Sequence, residues 1–236
     1  MFCVTDNETI VTKRDASMIA NRLYRAMKNS FVGKSGRLVV GIFLSFVMAF
    51  PVSAGPAADQ MRDAIEKVVA ILKDPSLKSD TKRKERLDQL KQVIYPKFDF
   101  AEMANRSLGS HWQRRSPEEQ REFVTVFTEL LENAYADSIA SYDGEKVVIT
   151  NEKQDSDYAE VNSKIVTKKG EQYAVNYKLH QLGGSWKAYD LVIENISLVN
   201  NYRSQYDRAI AKSAYEDLLR NMKDKQFEAP GKKAKS

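Results

Sequence analysis

Cysteine is almost missing from this chain. Its one thiol, Cys3, precedes a long apolar run, so whatever follows that run holds no disulfide, thiolate nucleophile or cysteine-ligated metal. Histidine is nearly as scarce: His111 and His180 stand in different elements and at no metal-ligand spacing. Their surroundings read as a packing or capping position and a strand's polar side. The ten glycines form no phosphate-cradling loop, and there is no GxSxG, P-loop or GxGxxG sequence. Nucleophilic hydrolysis, nucleotide-dependent chemistry and a dinucleotide cofactor are therefore unsupported.

The longest apolar run, Leu38 to Phe50, is too short for a comfortable membrane span of about 20 residues. Lys34 and Arg37 precede it, and Pro51, Val52, Ser53 and Ala54 follow with small side chains at the −3 and −1 positions of a cut after Ala54. That pattern reads as a secretory signal peptide, with a retained anchor as the alternative. Met27 would give an ordinary charged n-region, so a start at Met27 is the expectation, with residues 1–26 as a genuine extension the alternative. Residues 1–54 are assigned to an extension and cleaved signal, and no cysteine at the cut offers a lipoprotein anchor.

Excess charge of one sign is also lacking once the leader is set aside. Seven Lys/Arg against three Asp/Glu lie in residues 1–54, leaving 30 basic and 29 acidic residues beyond them. The residual positive charge gathers in a lysine-rich stretch, residues 223–236, expected to be a disordered tail. The body, 55–222, is slightly acidic and offers no nucleic-acid footprint.

What is present is first helical. Met61, Ile65, Val68, Val69 and Leu72 follow a 3.6-residue period that ends at Asp74-Pro75. Leu87, Leu90, Val93 and Ile94 mark a second helix, ended by Tyr95-Pro96. Asp99 with Glu102 has the form of a capping box, and Phe98 with Met103 that of a hydrophobic staple. Ser116-Pro117-Glu118-Glu119 opens the longest helix, to about Ser141, with Phe123, Phe127, Leu130, Leu131, Ala134, Tyr135 and Ile139 on one face.

From Glu145 the period changes to two. Val147 and Ile149, then Ala159, Val161 and Ile165, then Tyr173, Val175, Tyr177 and Leu179 predict three strands, with a turn at Lys168-Lys169-Gly170-Glu171. Gly183-Gly184 leads into a fourth, carrying Trp186, Tyr189, Leu191, Val192 and Ile193. A final helix is expected from Leu198 to Met222. The fold class is α+β: N-terminal helices and a C-terminal helix packed on a curved antiparallel sheet of about four strands, with an apolar pocket between them.

The apolar faces outnumber the partners that would cover them. Aromatics such as Phe123, Phe127, Tyr135, Tyr173, Tyr177, Trp186 and Tyr189 act as struts whose hydroxyls seek water or partners, so they can hold a cavity open. A tyrosine-rich ordinary core is the plainer alternative. An isomerase-like enzyme with Tyr189 and Asp190 as acid and base is another, opposed by the rule that adjacent strand residues face opposite sides.

Phe98-Asp99-Phe100-Ala101-Glu102-Met103-Ala104, Leu108-Gly109, Trp112 and Ser116-Pro117-Glu118-Glu119-Gln120 stand in an order that resembles one known family. So do Trp186-Lys187-Ala188-Tyr189-Asp190, Ile196-Ser197-Leu198-Val199 and Asn201-Tyr202-Arg203-Ser204-Gln205-Tyr206. The chain resembles the MlaC, or toluene-tolerance, family, which includes hopanoid-transport relatives. Asn195 stands where many relatives have glycine, and asparagine also tolerates positive φ. The resemblance implies a monomeric periplasmic lipid carrier over 55–222, with bound lipid as cargo and no cofactor, metal or catalytic group. It implies phospholipid or another membrane lipid held by its acyl chains. It further implies passage between an outer-membrane lipoprotein complex and an inner-membrane complex of MCE-domain protein, permease and ATPase. Pocket walls are expected from Phe123, Phe127, Leu131, Tyr135, Val161, Ile165, Val175, Tyr177, Tyr189, Leu191 and Ile193. Arg106, Tyr202 and Arg203 are expected at a polar mouth, with surface ion pairing as the alternative for the two arginines. A protein-binding adaptor is the remaining alternative.

Overall fold

A computed structural model describes residues 55–140, 142 and 144–224. The leader with its signal peptide, and the lysine-rich end beyond residue 224, lie outside the described residues. Six helices and one sheet follow: α1 (Pro56–Lys73), α2 (Arg83–Ile94), α3 (Phe100–Leu108), α4 (Pro117–Ala140), β1 (Lys146–Asp155), β2 (Tyr158–Val166), β3 (Gln172–Leu182), β4 (Ser185–Ile193), β5 (Ile196–Ser197), α5 (Leu198–Lys212) and α6 (Tyr215–Lys223). Short 3-10 turns at Pro75–Leu77, Asp80–Lys82, Tyr95–Lys97 and Gly109–Arg114 join the first four helices. The α+β class expected from the sequence is therefore observed.

The sheet is an antiparallel meander in the order β1-β2-β3-β4-β5. Its turns sit where the chain can take positive φ: Gly183 and Gly184 at 59° and 77°, and Glu194-Asn195 at 48° and 65°. The second turn adds the two-residue β5, which the period-two pattern did not reveal. Phe98 makes a parallel bridge to Ala188, so the segment entering α3 runs beside β4.

The helix starts follow local chemistry. Ser116 and Glu119 form a complete capping box, with Ser116 N donating to Glu119 Oε2 (2.7 Å) and Glu119 N to Ser116 Oγ (3.2 Å). Asp99 Oδ1 accepts from Glu102 N (2.9 Å). The Glu102 carboxylate does not return the bond; it turns forward to Arg106 (2.7 Å), and Asp99 N donates to Ala188 O instead. The single closing helix expected over 198–222 is two. The chain breaks at Ser213-Ala214, where Ser213 N bonds back to Ala209 O and Ala214 is extended. The second piece carries Tyr215, Leu218, Leu219 and Met222 back onto α4, and Lys223 Nζ pairs with Glu122.

Two cores result. The first is helical: Met103, Ala104 and Leu108 of α3, Phe123, Val126, Phe127, Leu130 and Leu131 of α4, and the buried faces of α5 and α6. The second lies between α1 and one end of the sheet, where Ala57, Ala58 and Met61 meet Ala159, Val161, Leu179, Trp186 and Ala188. Glu152 of β1 anchors that end of α1 by accepting from Ala58 N (2.7 Å). Among the described residues, no helix is long and apolar enough to cross a membrane.

Candidate functional site

Strand register assigns each side chain to a face, because side chains alternate along a strand and cross-strand partners share a face. Ile165 pairs with Val147 and Tyr173, Ser163 with Ile149 and Val175, and Val161 with Glu152 and Tyr177. Tyr177 in turn pairs with Leu191, and Val175 with Ile193. One apolar face therefore carries Val147, Ile149, Ile165, Tyr173, Val175, Tyr177, Leu191 and Ile193, continuing into Val161 and Ala159. Helix α1 covers the Val161 and Ala159 end, and Ile149 and Tyr177 pack against that core. Val147, Ile149, Ile165, Tyr177, Leu191 and Ile193 are neither buried nor exposed. A well-packed core would close over such a row.

Helix α4 precedes the sheet in the chain. Its first half is locked into the helical core, and Leu191 from the apolar face packs against that same core. From there α4 carries the chain toward β1, at the opposite edge of the sheet. Lys91 Nζ of α2 holds it at Glu132 Oε2 (2.7 Å). Tyr135, one turn beyond Leu131, stays partly accessible although burial pushes its phenol pKa up. Tyr177 shows the same pairing of properties: burial raises its phenol pKa, its ring remains half-accessible, and its hydroxyl reaches buried Ser163. Ser163 Oγ donates to Val175 O (2.6 Å).

Of the expected wall residues, Ile165, Val175, Tyr177, Leu191 and Ile193 share the apolar face of the sheet, and Leu131 and Tyr135 lie on α4 against the helical core. Val161 shares the face but is fully buried under α1. Phe123 and Phe127 are 0% exposed and belong to the helical core. Phe127 meets Tyr202 edge-on at 5.6 Å, and Phe123 meets Tyr206 and Trp112 at 5.7 and 6.5 Å.

Tyr189 is on the other face. A bulge lets Lys178 pair with Asp190 and Leu179 with Ala188, so Tyr189 is an extra residue that alternation cannot place. Its ring packs near Tyr158 (6.1 Å) and His180 (5.5 Å), and the Arg106 guanidinium lies 4.2 Å from its centroid. Asp190 is buried and engaged: its oxygens accept from Ser197 Oγ (2.7 Å) and Val199 N (3.1 Å), and Lys178 Nζ lies at 3.8 Å. It caps the start of α5, which leaves it no free oxygen edge for acid-base work.

The expected mouth is not assembled. Tyr202 is 0% exposed inside the helical core. Arg106 pairs with Glu102 and lies over Tyr189, and Arg203 Nε caps the Arg106 carbonyl at the end of α3 (2.7 Å). His180 is bound to Asp99 (3.0 Å) and His111 to Asp207 (3.1 Å). Among the described residues, no group of three metal-ligating side chains occurs. A polar surface groove along α2, lined by Thr81, Lys82, Glu85 and Asp88 among others, shares no residue with the apolar face. Val147 and Ile149 share this apolar face and are missing from the expected set. Their alternation with the exposed Val148 and Thr150 was the signal, and the pairing of Val147 with Ile165 completes it.

The MlaC protein family model matches residues 62–224. The intermembrane phospholipid transport system binding protein MlaC of Haemophilus influenzae is 25% identical over 134 residues, 55% of this chain and 63% of that protein. Toluene tolerance protein ttg2D of Pseudomonas putida is 23% identical over 128 residues, 53% of this chain and 60% of that protein. This chain thus spans somewhat under two thirds of the length of these relatives. A phospholipid-binding protein from Ralstonia solanacearum, solved in complex with a phospholipid, superposes with a TM-score of 0.64 at 25% identity, covering 72% of this chain and 97% of that one. The family match extends over most of the two cores and the half-covered sheet face between them: this chain belongs to the MlaC protein family.

Proposed function

We propose that this protein is a periplasmic phospholipid carrier that shields acyl chains against the uncovered apolar face of its sheet. The observation that carries the reading is the row Val147, Ile149, Ile165, Tyr177, Leu191 and Ile193, apolar and half-accessible side chains that share one face of the sheet. A free acyl chain resists crossing water because each methylene taken into an apolar site contributes about 0.8 kcal/mol. Apolar walls are therefore all that a carrier's chemistry requires. The phospholipid held by the Ralstonia solanacearum neighbour supports phospholipid as cargo. The name of the Haemophilus influenzae relative supports a place in a transport system between membranes. In this reading the donor and acceptor are the outer-membrane lipoprotein complex and the inner-membrane MCE-domain transporter, with a hopanoid as the alternative cargo. The wall consists of Ile165, Val175, Tyr177, Leu191, Ile193, Leu131 and Tyr135, with Val147 and Ile149 added.

The test is to express the full chain in a Gram-negative host, recover it from the periplasm, and measure its mass before and after solvent extraction. A product beginning at Gly55 with stoichiometric phospholipid is expected. A protein that is empty on isolation and takes up neither phospholipid nor hopanoid from vesicles would refute the carrier.

A further inference from the structure

The apolar face of the sheet ends differently at its two ends. The strand register puts Ala159, Leu179 and Ala188 at one end, where they join Val161 and Trp186 in a closed cluster beneath α1. At the other end the face runs out among polar groups. Tyr173 donates its hydroxyl to Glu171 (3.0 Å), the Glu194 carboxylate accepts from Ala174 N, and Lys146, Lys168 and Lys169 are exposed. Ile149 and Tyr177 mark the boundary: they belong to the half-accessible row and also pack against the closed cluster.

The closed end is fastened from both sides of the sheet. Glu152 of β1 accepts from Ala58 N (2.7 Å). The Gln60 amide pairs with the main chain of Trp186 on β4, donating to its carbonyl (2.5 Å) and accepting from its N–H (3.1 Å). The α1 side chains in the cluster are Ala57, Ala58 and Met61. Both alanines stop at Cβ, so the reach of α1 into the cluster is that of Met61, 3% exposed.

We propose that α1 is the end stop of the lipid-binding face and that Met61 sets the longest acyl chain the protein accepts, an inference that rests on the lipid-carrier reading above. An amphiphile lies in one direction along a face that is polar at one end and apolar at the other, because a head group in the apolar cluster would lose its hydrogen bonds to water. The head group belongs beside Glu171, Glu194 and the lysines, and the terminal methyl points past Ile149 and Tyr177 toward α1. A chain that fits exchanges bilayer for protein with little net change. A longer chain leaves its surplus methylenes in water, and each lowers loading about fourfold. Methionine is unbranched, so its replacement by alanine removes about three chain atoms and makes room for about two further methylenes.

The experiment offers the full-length, periplasmically processed protein mixed vesicles with equal amounts of saturated diacyl phosphatidylglycerols of increasing even chain length. Bound lipids are then extracted and their ratios read by mass spectrometry. Wild type is expected to load the shorter lipids equally and to fall off steeply beyond one length, a result that needs no variant. Met61→Ala should load the first excluded lipid about fifteenfold better, the effect of sheltering two methylenes. Met61→Leu, which keeps the bulk, should keep the wild-type limit. Leu72→Ala removes buried apolar surface from the same helix outside the cluster, and should lower stability without moving the limit. No fall-off with length in wild type, a limit unmoved by Met61→Ala, or an equal displacement by Leu72→Ala overturns the proposal while leaving the carrier intact. Failure to load a lipid of any length overturns the carrier reading, and this inference with it.

Discussion

Replacing Leu191 by glutamate separates a wall from a core. Leu191 is half-accessible, pairs with Tyr177 across the sheet and touches the helical core with one side only. A glutamate there keeps its carboxylate hydrated in the empty protein, so the stability loss is that of partial leucine burial, about 1 kcal/mol. Lipid entry is another matter. The acyl chain must either strip that carboxylate of water, at a cost of several kcal/mol, or stay clear of it. Staying clear of about four methylenes forfeits about 3 kcal/mol, which lowers affinity by roughly a hundredfold. Leu179→Glu is the contrast: Leu179 is 0% exposed beneath α1, and the same substitution there buries an unpaired charge and should prevent folding. Uptake of fluorescent phospholipid from vesicles and thermal unfolding of both variants give the answer. If Leu191→Glu unfolds as Leu179→Glu does, or loads lipid as wild type does, the proposed lipid-binding face has been placed wrongly.

Other consequences follow from the same geometry. Asp190→Ala removes the acceptor that holds Ser197 Oγ and Val199 N at the start of α5, and should cost about 3 kcal/mol, seen as a lower urea midpoint with an unchanged slope. Alkaline pH should destabilise the fold through its buried phenols. Burial pushes Tyr215 up to about 12, against about 10 in an unfolded chain, and raises Tyr135, Tyr202 and Tyr206 likewise. Because the folded pKa values are raised, the stabilisation is fully present below pH 10 and is lost as pH rises. For Tyr215 the loss is about 1.4 kcal/mol per unit up to its folded value. Chemical denaturation between pH 9 and about 12 measures it, and Tyr215→Phe should flatten the slope.

Much of this architecture was legible in the residues. The helix starts at Pro117 and Phe100 are written in their caps, and the change of period at Glu145 marks the sheet. Strand alternation correctly put Val175, Tyr177 and Ile165 on one face. It failed at Tyr189 because a bulge is a property of two paired strands, and nothing in β4 alone announces the extra residue. The aromatic face of α4 looked uniform, yet Phe123 and Phe127 meet α5 and α6 while Tyr135 lies a turn past the end of that core. Which half of a helix faces which neighbour depends on the break at Ser213-Ala214, and no glycine or proline marks that break. Arg106 and Arg203 read as exposed cations. Their actual partners, a glutamate one turn back and a carbonyl 97 residues away in sequence, are set by the docking of α5 on α3.

The most direct test of the proposed lipid-binding face is to see where lipid touches. A phospholipid carrying a photoactivatable group at the end of one acyl chain is loaded, irradiated, and the labelled peptides are mapped. Labels on Val147, Ile149, Ile165, Tyr177, Leu191 or Ile193 are expected, since these share the half-covered face. Labels confined to Val148, Tyr158 or Lys164, on the opposite face, would contradict the account.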